Sequence, residues 1–107
     1  SGRVAAFMMD DVLLAGARTL AQKPTDWVVT GTPQSFEAYG FMLRKDDPPF
    51  KKLVDDTLTS VMKSGEIHTL YAKWFESPVP PKSLNFNFKM SDPLKALYAN
   101  PNDTPFE

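Results

Sequence analysis

The chain has 107 residues, 42% of them apolar and 12% aromatic, enough for one modest core. Its net charge of -1 gives no reason to expect nucleic acid or an anionic membrane surface as a partner. There is no cysteine, which excludes disulfides, thiolate chemistry and cysteine-based zinc sites, and no apolar run approaches the ~20 residues of a spanning helix.

The first element is the run Val4 to Met9, VAAFMM. It is apolar without alternation, which predicts a strand covered on both faces, as in a parallel sheet. Only Ser1-Gly2-Arg3 precede it and no leader pattern is visible, so the sequence is expected to be a piece of a longer protein. The run ends on Asp10-Asp11, where a helix N-cap belongs. Val12, Leu13, Gly16, Ala17, Leu20 and Ala21 then recur at helical spacing, and Lys23-Pro24 stops them. Trp27-Val28-Val29 is a short second strand closed by Gly31-Thr32-Pro33. Strand, helix and strand together have the length and pattern of a βαβ unit.

Glu37 to Arg44, EAYGFMLR, is a third extended segment. Asp46-Asp47-Pro48-Pro49 is a strong helix start, with acids at the cap and proline at the first helical position. Phe50, Leu53, Val54, Thr57, Leu58, Val61 and Met62 follow as a stripe, and Ser64-Gly65 breaks it. A further helix carries Ile67, Leu70, Tyr71, Trp74 and Phe75. From Ser77 the chain turns extended through Pro78-Val79-Pro80-Pro81. Leu84, Phe86, Phe88 and Met90 then alternate with Asn85, Asn87 and Lys89, the period of a chain lying along a surface. Ser91-Asp92-Pro93 caps a short helix to about Tyr98, and the residues from Asn100 to Glu107 are expected to be loosely held. Ten prolines fall mostly between these segments, as punctuation.

The chemistry-bearing residues are few. Asp10 and Asp11 stand at a strand exit and a helix start, the place where open α/β sheets collect ligands. A carboxylate there can accept hydrogen bonds from a ligand ammonium, or it can simply cap the helix. With two acids, both roles can be filled at once. His68, the single histidine, lies off the apolar stripe of its helix and reads as a solvated side chain. No serine or threonine has a histidine and an acid arranged around it, so no catalytic residue is assigned. Asp46, Asp47, Asp55 and Asp56 lack the spacing of a calcium loop and read as caps and exposed faces, so no metal ligand is assigned. The glycines form no phosphate-cradling loop.

The segment SGRVAAFMMDD resembles the "G-R-x-x-A, apolar, apolar, x, D" stretch of periplasmic amino-acid-binding proteins, the type II solute receptors of ABC importers. The run AYGFMLRKDDPPFKKLVDDTLTSVMKSGEIHTLYAKWF is similar to the closing signature of that family, where a Y-G strand precedes two helices ending in K-W-F. The tail, SPVPPKSLNFNFKMSDPLKALYANPND, is similar to the glutamate/aspartate-binding branch. With it, the resemblance covers essentially the whole chain.

The resemblance implies an α/β fold, part of a two-lobe type II periplasmic-binding-protein architecture that closes around one amino acid. Residues 1–36 would be the C-terminal part of lobe 2, 37–44 a hinge-crossing strand, 45–76 two helices of lobe 1, and 77–107 a tail with a short helix packing on the body. Asp10 aligns with the acid that grips the ligand α-ammonium, and Asp11 begins the helix. Arg3, Arg18 and Arg44 do not fall where the family places its carboxylate-binding arginine, so the fragment is expected to bind its ligand weakly or not at all. The implied function is capture of glutamate or aspartate in the periplasm for an ABC permease, without cofactor or metal. Severed sheet edges are expected to drive the isolated chain into a homo-oligomer by strand or tail exchange. The alternatives are an enzyme on the same fold, such as a cyclohexadienyl dehydratase, and a sensor domain.

Overall fold

A computed structural model of the chain describes residues 2–105. Ser1, at the head of the expected lobe-2 segment, and Phe106 and Glu107, at the end of the expected tail, lie outside the described residues. The described residues form four α-helices, α1 (Asp11–Leu20), α2 (Pro48–Lys63), α3 (Glu66–Phe75) and α4 (Asp92–Ala99), and a 3-10 turn over Pro24–Asp26. Each α-helix lies where the spacing of apolar residues and the caps predict one.

The strands do not. An α/β chain was expected, but the described residues carry no β-strand, only one antiparallel bridge between Val79 and Leu84. Val4–Met9 bends at Ala5 and Met9, and no regular structure covers Trp27–Val29 or 37–44. The physical reason is that a strand is defined by its neighbour. Its N–H and C=O groups point sideways and become a ladder only when a second strand lies alongside. A helix closes its hydrogen bonds within itself, so its pattern needs no neighbour to be realised.

The residues group into two compact units, Ser1–Thr32 with Ala72–Lys89, and Pro33–Tyr71 with Met90–Glu107. The boundary thus falls inside α3.

In the first unit, α1 ends at Ala21, whose backbone turns extended and whose N–H donates to the Arg18 carbonyl at 3.1 Å. The Arg18 Nε donates to the Pro24 carbonyl at 3.2 Å and ties the 3-10 turn to the end of the helix. The tail portion is anchored by three polar contacts. Phe88 N–H donates to the Phe75 carbonyl at 3.0 Å, Val79 N–H to the Leu84 carbonyl at 2.9 Å, and Asn85 Nδ2 to the Glu76 carbonyl at 3.0 Å. The Phe75 and Phe88 rings meet at a tilted 6.5 Å between centroids. From Phe86 on, Phe86, Phe88 and Met90 are half-buried while Asn87 and Lys89 are exposed, so there the alternation is realised in burial without a strand, whereas Asn85 is half-buried beside Leu84.

In the second unit, Asp47 caps α2. One carboxylate oxygen accepts from Phe50 N–H at 3.3 Å and the other from the Arg44 guanidinium, with proline in the first turn. Ser64 and Gly65 end the helix, Gly65 with φ of +83°, a conformation that favours glycine. Ser91 caps α4 by accepting from Leu94 N–H at 3.4 Å. α4 packs against α2. Beyond it, Asp103 reaches back to the Lys51 ammonium at 2.8 Å, which also binds Asp55 one turn along α2.

The core is thin. Among the described residues only Ala15 and Tyr71 count as buried apolar side chains, at 8% and 7% exposure. The accessible surface is 9368 Å² for a 12.0 kDa chain. A compact monomer of that mass exposes about 6000 Å², and two separate compact halves about 7200 Å². Large apolar side chains account for much of the excess, including Phe7, Met8, Val28, Phe36, Tyr39, Phe41 and Met42.

Candidate functional site

The doubled aspartate sits at the N-terminus of α1. Asp10 occupies the N-cap position, and its carbonyl accepts from Leu14 N–H at 2.9 Å to open the helix ladder. Its side chain makes no capping hydrogen bond. Asp11, the first helical residue, turns its Oδ1 onto Val12 N–H at 2.8 Å and places a negative charge on the positive end of the helix. Asp10 thus contributes its backbone to the helix start and Asp11 its side chain. Both residues are exposed.

The structure engages two arginines elsewhere. Arg18 holds the turn at Pro24, and Arg44 holds the cap at Asp47. Arg3 is exposed. His68 is exposed on α3, as its position off the stripe predicts. Asp47 is a cap, while Asp55 and Asp56 pair with Lys51 and Lys52 one turn earlier on α2. No group of acids or histidines among the described residues is arranged to hold a metal ion.

Two shallow grooves are present, one within each unit. One, of about 240 Å³, lies between α2 and the tail, lined by Leu58, Thr59, Met62, Pro101, Asn102 and the Asp55 and Asp103 carboxylates that Lys51 joins. The other, of about 290 Å³, runs along Gly16 and Leu20 of α1 beside Val79, Pro80, Leu84 and Phe86. The charged side chains lining them are Asp55 and Asp103 in the first and Lys82 in the second, and neither lining contains Asp10 or an arginine. The Lys51 link to Asp103 escaped sequence reasoning altogether, because a contact across 52 residues leaves no mark in local spacing.

No family model matches the chain. Individual proteins do. A glutamate/aspartate import solute-binding protein of Escherichia coli (strain K12) is 61% identical over 103 residues, 96% of this chain. Its counterpart in Salmonella typhimurium, of the same name, is 59% identical over the same share of the chain. An L-glutamate/L-aspartate-binding protein of Pseudomonas aeruginosa is 58% identical over all 107 residues. The chain is a close homologue of glutamate/aspartate import solute-binding proteins. The resemblance carried by the Lys73-Trp74-Phe75 ending and the tail is borne out. These relatives are binding proteins and not enzymes. The chain spans 34–35% of their length, about a third. No helix of the described residues is long and apolar enough to cross a membrane.

Proposed function

We propose that this chain is part of a periplasmic solute-binding protein that captures glutamate or aspartate and delivers it to an ABC permease. The observation that carries the reading is 61% identity to an import protein of that specificity, sustained over 96% of the chain. At that identity over so long a stretch, the fold of the matched third is shared. The chain would then be the carboxyl-terminal third of an α/β two-lobe type II architecture. Residues 1–36 belong to lobe 2, 37–44 cross the hinge, 45–76 belong to lobe 1, and 77–107 pack back over the body. Val4–Met9, Trp27–Val29 and 37–44 become strands when the remaining length supplies their neighbours. The excess of exposed apolar surface is what such a partition predicts.

Asp10 is the residue proposed to meet the ligand. Its place at the N-terminus of α1, with Asp11 already serving the helix start, supports a carboxylate turned to the α-ammonium. In the closed receptor, removal of one partner of a buried ion pair costs about 3–5 kcal/mol, or roughly 10²–10⁴ in affinity. Calorimetric titration of glutamate into the full-length protein is expected to show that loss for Asp10→Asn. An affinity within about threefold of wild type removes Asp10 from the site. Made alone, the chain is proposed to self-associate by strand or tail exchange, because its uncovered surface has no other protein to meet.

A further inference from the structure

We propose that Glu37 to Arg44 is a self-complementary strand that pairs antiparallel with the same segment of a second copy of this chain. The proposal rests on the self-association proposed above and names its interface. The segment EAYGFMLR lies between the 3-10 turn and α2, and no β-bridge involves it. Its large side chains are among the most exposed in the molecule, with Tyr39 at 80%, Phe41 at 74% and Met42 at 97%. Aromatic and long apolar side chains in such a segment, with no ladder formed along it, are the features of an edge that recruits another chain.

One register satisfies every position. Glu37 faces the partner's Arg44, Ala38 the partner's Leu43, Tyr39 the partner's Met42, and Gly40 the partner's Phe41. Two-fold symmetry repeats each pair, so the strand ends carry two opposite-charge pairs. The aromatic ring of Phe41 covers the bare backbone of Gly40, a pairing that compensates a strand glycine. A slip of one residue in either direction sets Arg44 against Ala38 or against Phe36 and turns the other side chains to the opposite face.

Both charged ends are exposed, Arg44 with 81% of its side chain in solvent while it pairs with Asp47, and Glu37 where it accepts a 3.2 Å hydrogen bond from the Ser35 hydroxyl, so pairing across the strand competes with that Asp47 contact.

Sedimentation equilibrium of the 107-residue chain over a range of concentrations tests the proposal. The wild type is expected to approach twice its 12.0 kDa mass. Glu37→Arg sets like charges together at both ends and is expected to raise the dissociation constant at least about fivefold, with Glu37→Arg/Arg44→Glu restoring it. Arg44 also touches the α2 cap, so Gly40→Pro serves as an independent variant. It blocks the ladder within a segment that has no regular structure, and it is expected to weaken the dimer at unchanged helical circular dichroism. Because the chain has no cysteine, a mixture of Ala38→Cys and Leu43→Cys chains is expected to yield a disulfide heterodimer on mild oxidation. A dimer indifferent to Glu37→Arg and Gly40→Pro overturns this strand and leaves the self-association standing. A wild-type mass of 12.0 kDa at every concentration overturns both.

Discussion

Asp47 shows how much one side chain can decide when its partners are near in sequence. Three residues separate it from the N–H it caps and from the arginine that braces it. Everything that fixes α2 at its start lies within Arg44 to Phe50, which is why Asp-Asp-Pro-Pro predicted the boundary without any tertiary knowledge. Asp47→Ala removes the cap and is expected to destabilise α2 by about 1 kcal/mol. Asp47→Asn retains a capping oxygen while losing the charge beside Arg44, and is expected to cost less. Urea unfolding followed by circular dichroism at the helix band ranks the two. An Ala variant as stable as wild type removes the cap from the account. Asp10 and Asp11 are the contrasting case. Their adjacency was plain, but which of them served the helix start depended on side-chain directions that spacing does not encode.

Among elements, the helices were legible and the strands were not, for a reason rooted in hydrogen bonding. α2 and α4 carry capping side chains at Asp47 and Ser91, α3 follows the Ser64-Gly65 break, and each appears where the pattern places it. The runs at Val4 and Trp27 have strand composition, yet a ladder requires a neighbour that this chain does not set beside them. The link between α2 and the tail is another feature invisible in the sequence. Lys51 joins Asp55 and Asp103, and its ammonium holds the Asp103 carboxyl below the usual carboxylate range. The pKa of Asp103 is depressed in the folded state, so the tie is complete above the ordinary carboxylate pKa and is lost as pH falls through the lowered value. It is exposed and screened by salt, hence modest. In Asp103→Ala, amide exchange at Asn100 to Thr104 is expected to quicken roughly twofold to fivefold at neutral pH. At acid pH, below the depressed value, variant and wild type should converge. Equal exchange at neutral pH would mean that α4 packing alone holds the tail.

For the molecule as a whole, the decisive quantities are a surface of 9368 Å² and a core in which, among the described residues, only Ala15 and Tyr71 are buried apolar side chains. One groove is lined by the carboxylates of Asp55 and Asp103, already tied to Lys51, the other by Lys82 without a carboxylate, and Asp10 borders neither. The isolated chain is therefore expected to show no heat of binding with micromolar glutamate or aspartate. A dissociation constant in that range from calorimetry would mean that the site is complete within these 107 residues. The likeness to glutamate/aspartate-binding proteins was legible because short motifs persist in any part of a sequence that contains them. A pocket is not legible in that way, because its geometry depends on segments brought together only by folding.

The shortage of buried side chains has a bearing on fate as well as on binding. Aromatic and aliphatic groups left in water are what holdase chaperones and housekeeping proteases recognise. Its lifetime in a cell is then governed by a race: either a matching surface arrives and shelters these groups, or clearance removes the polypeptide first.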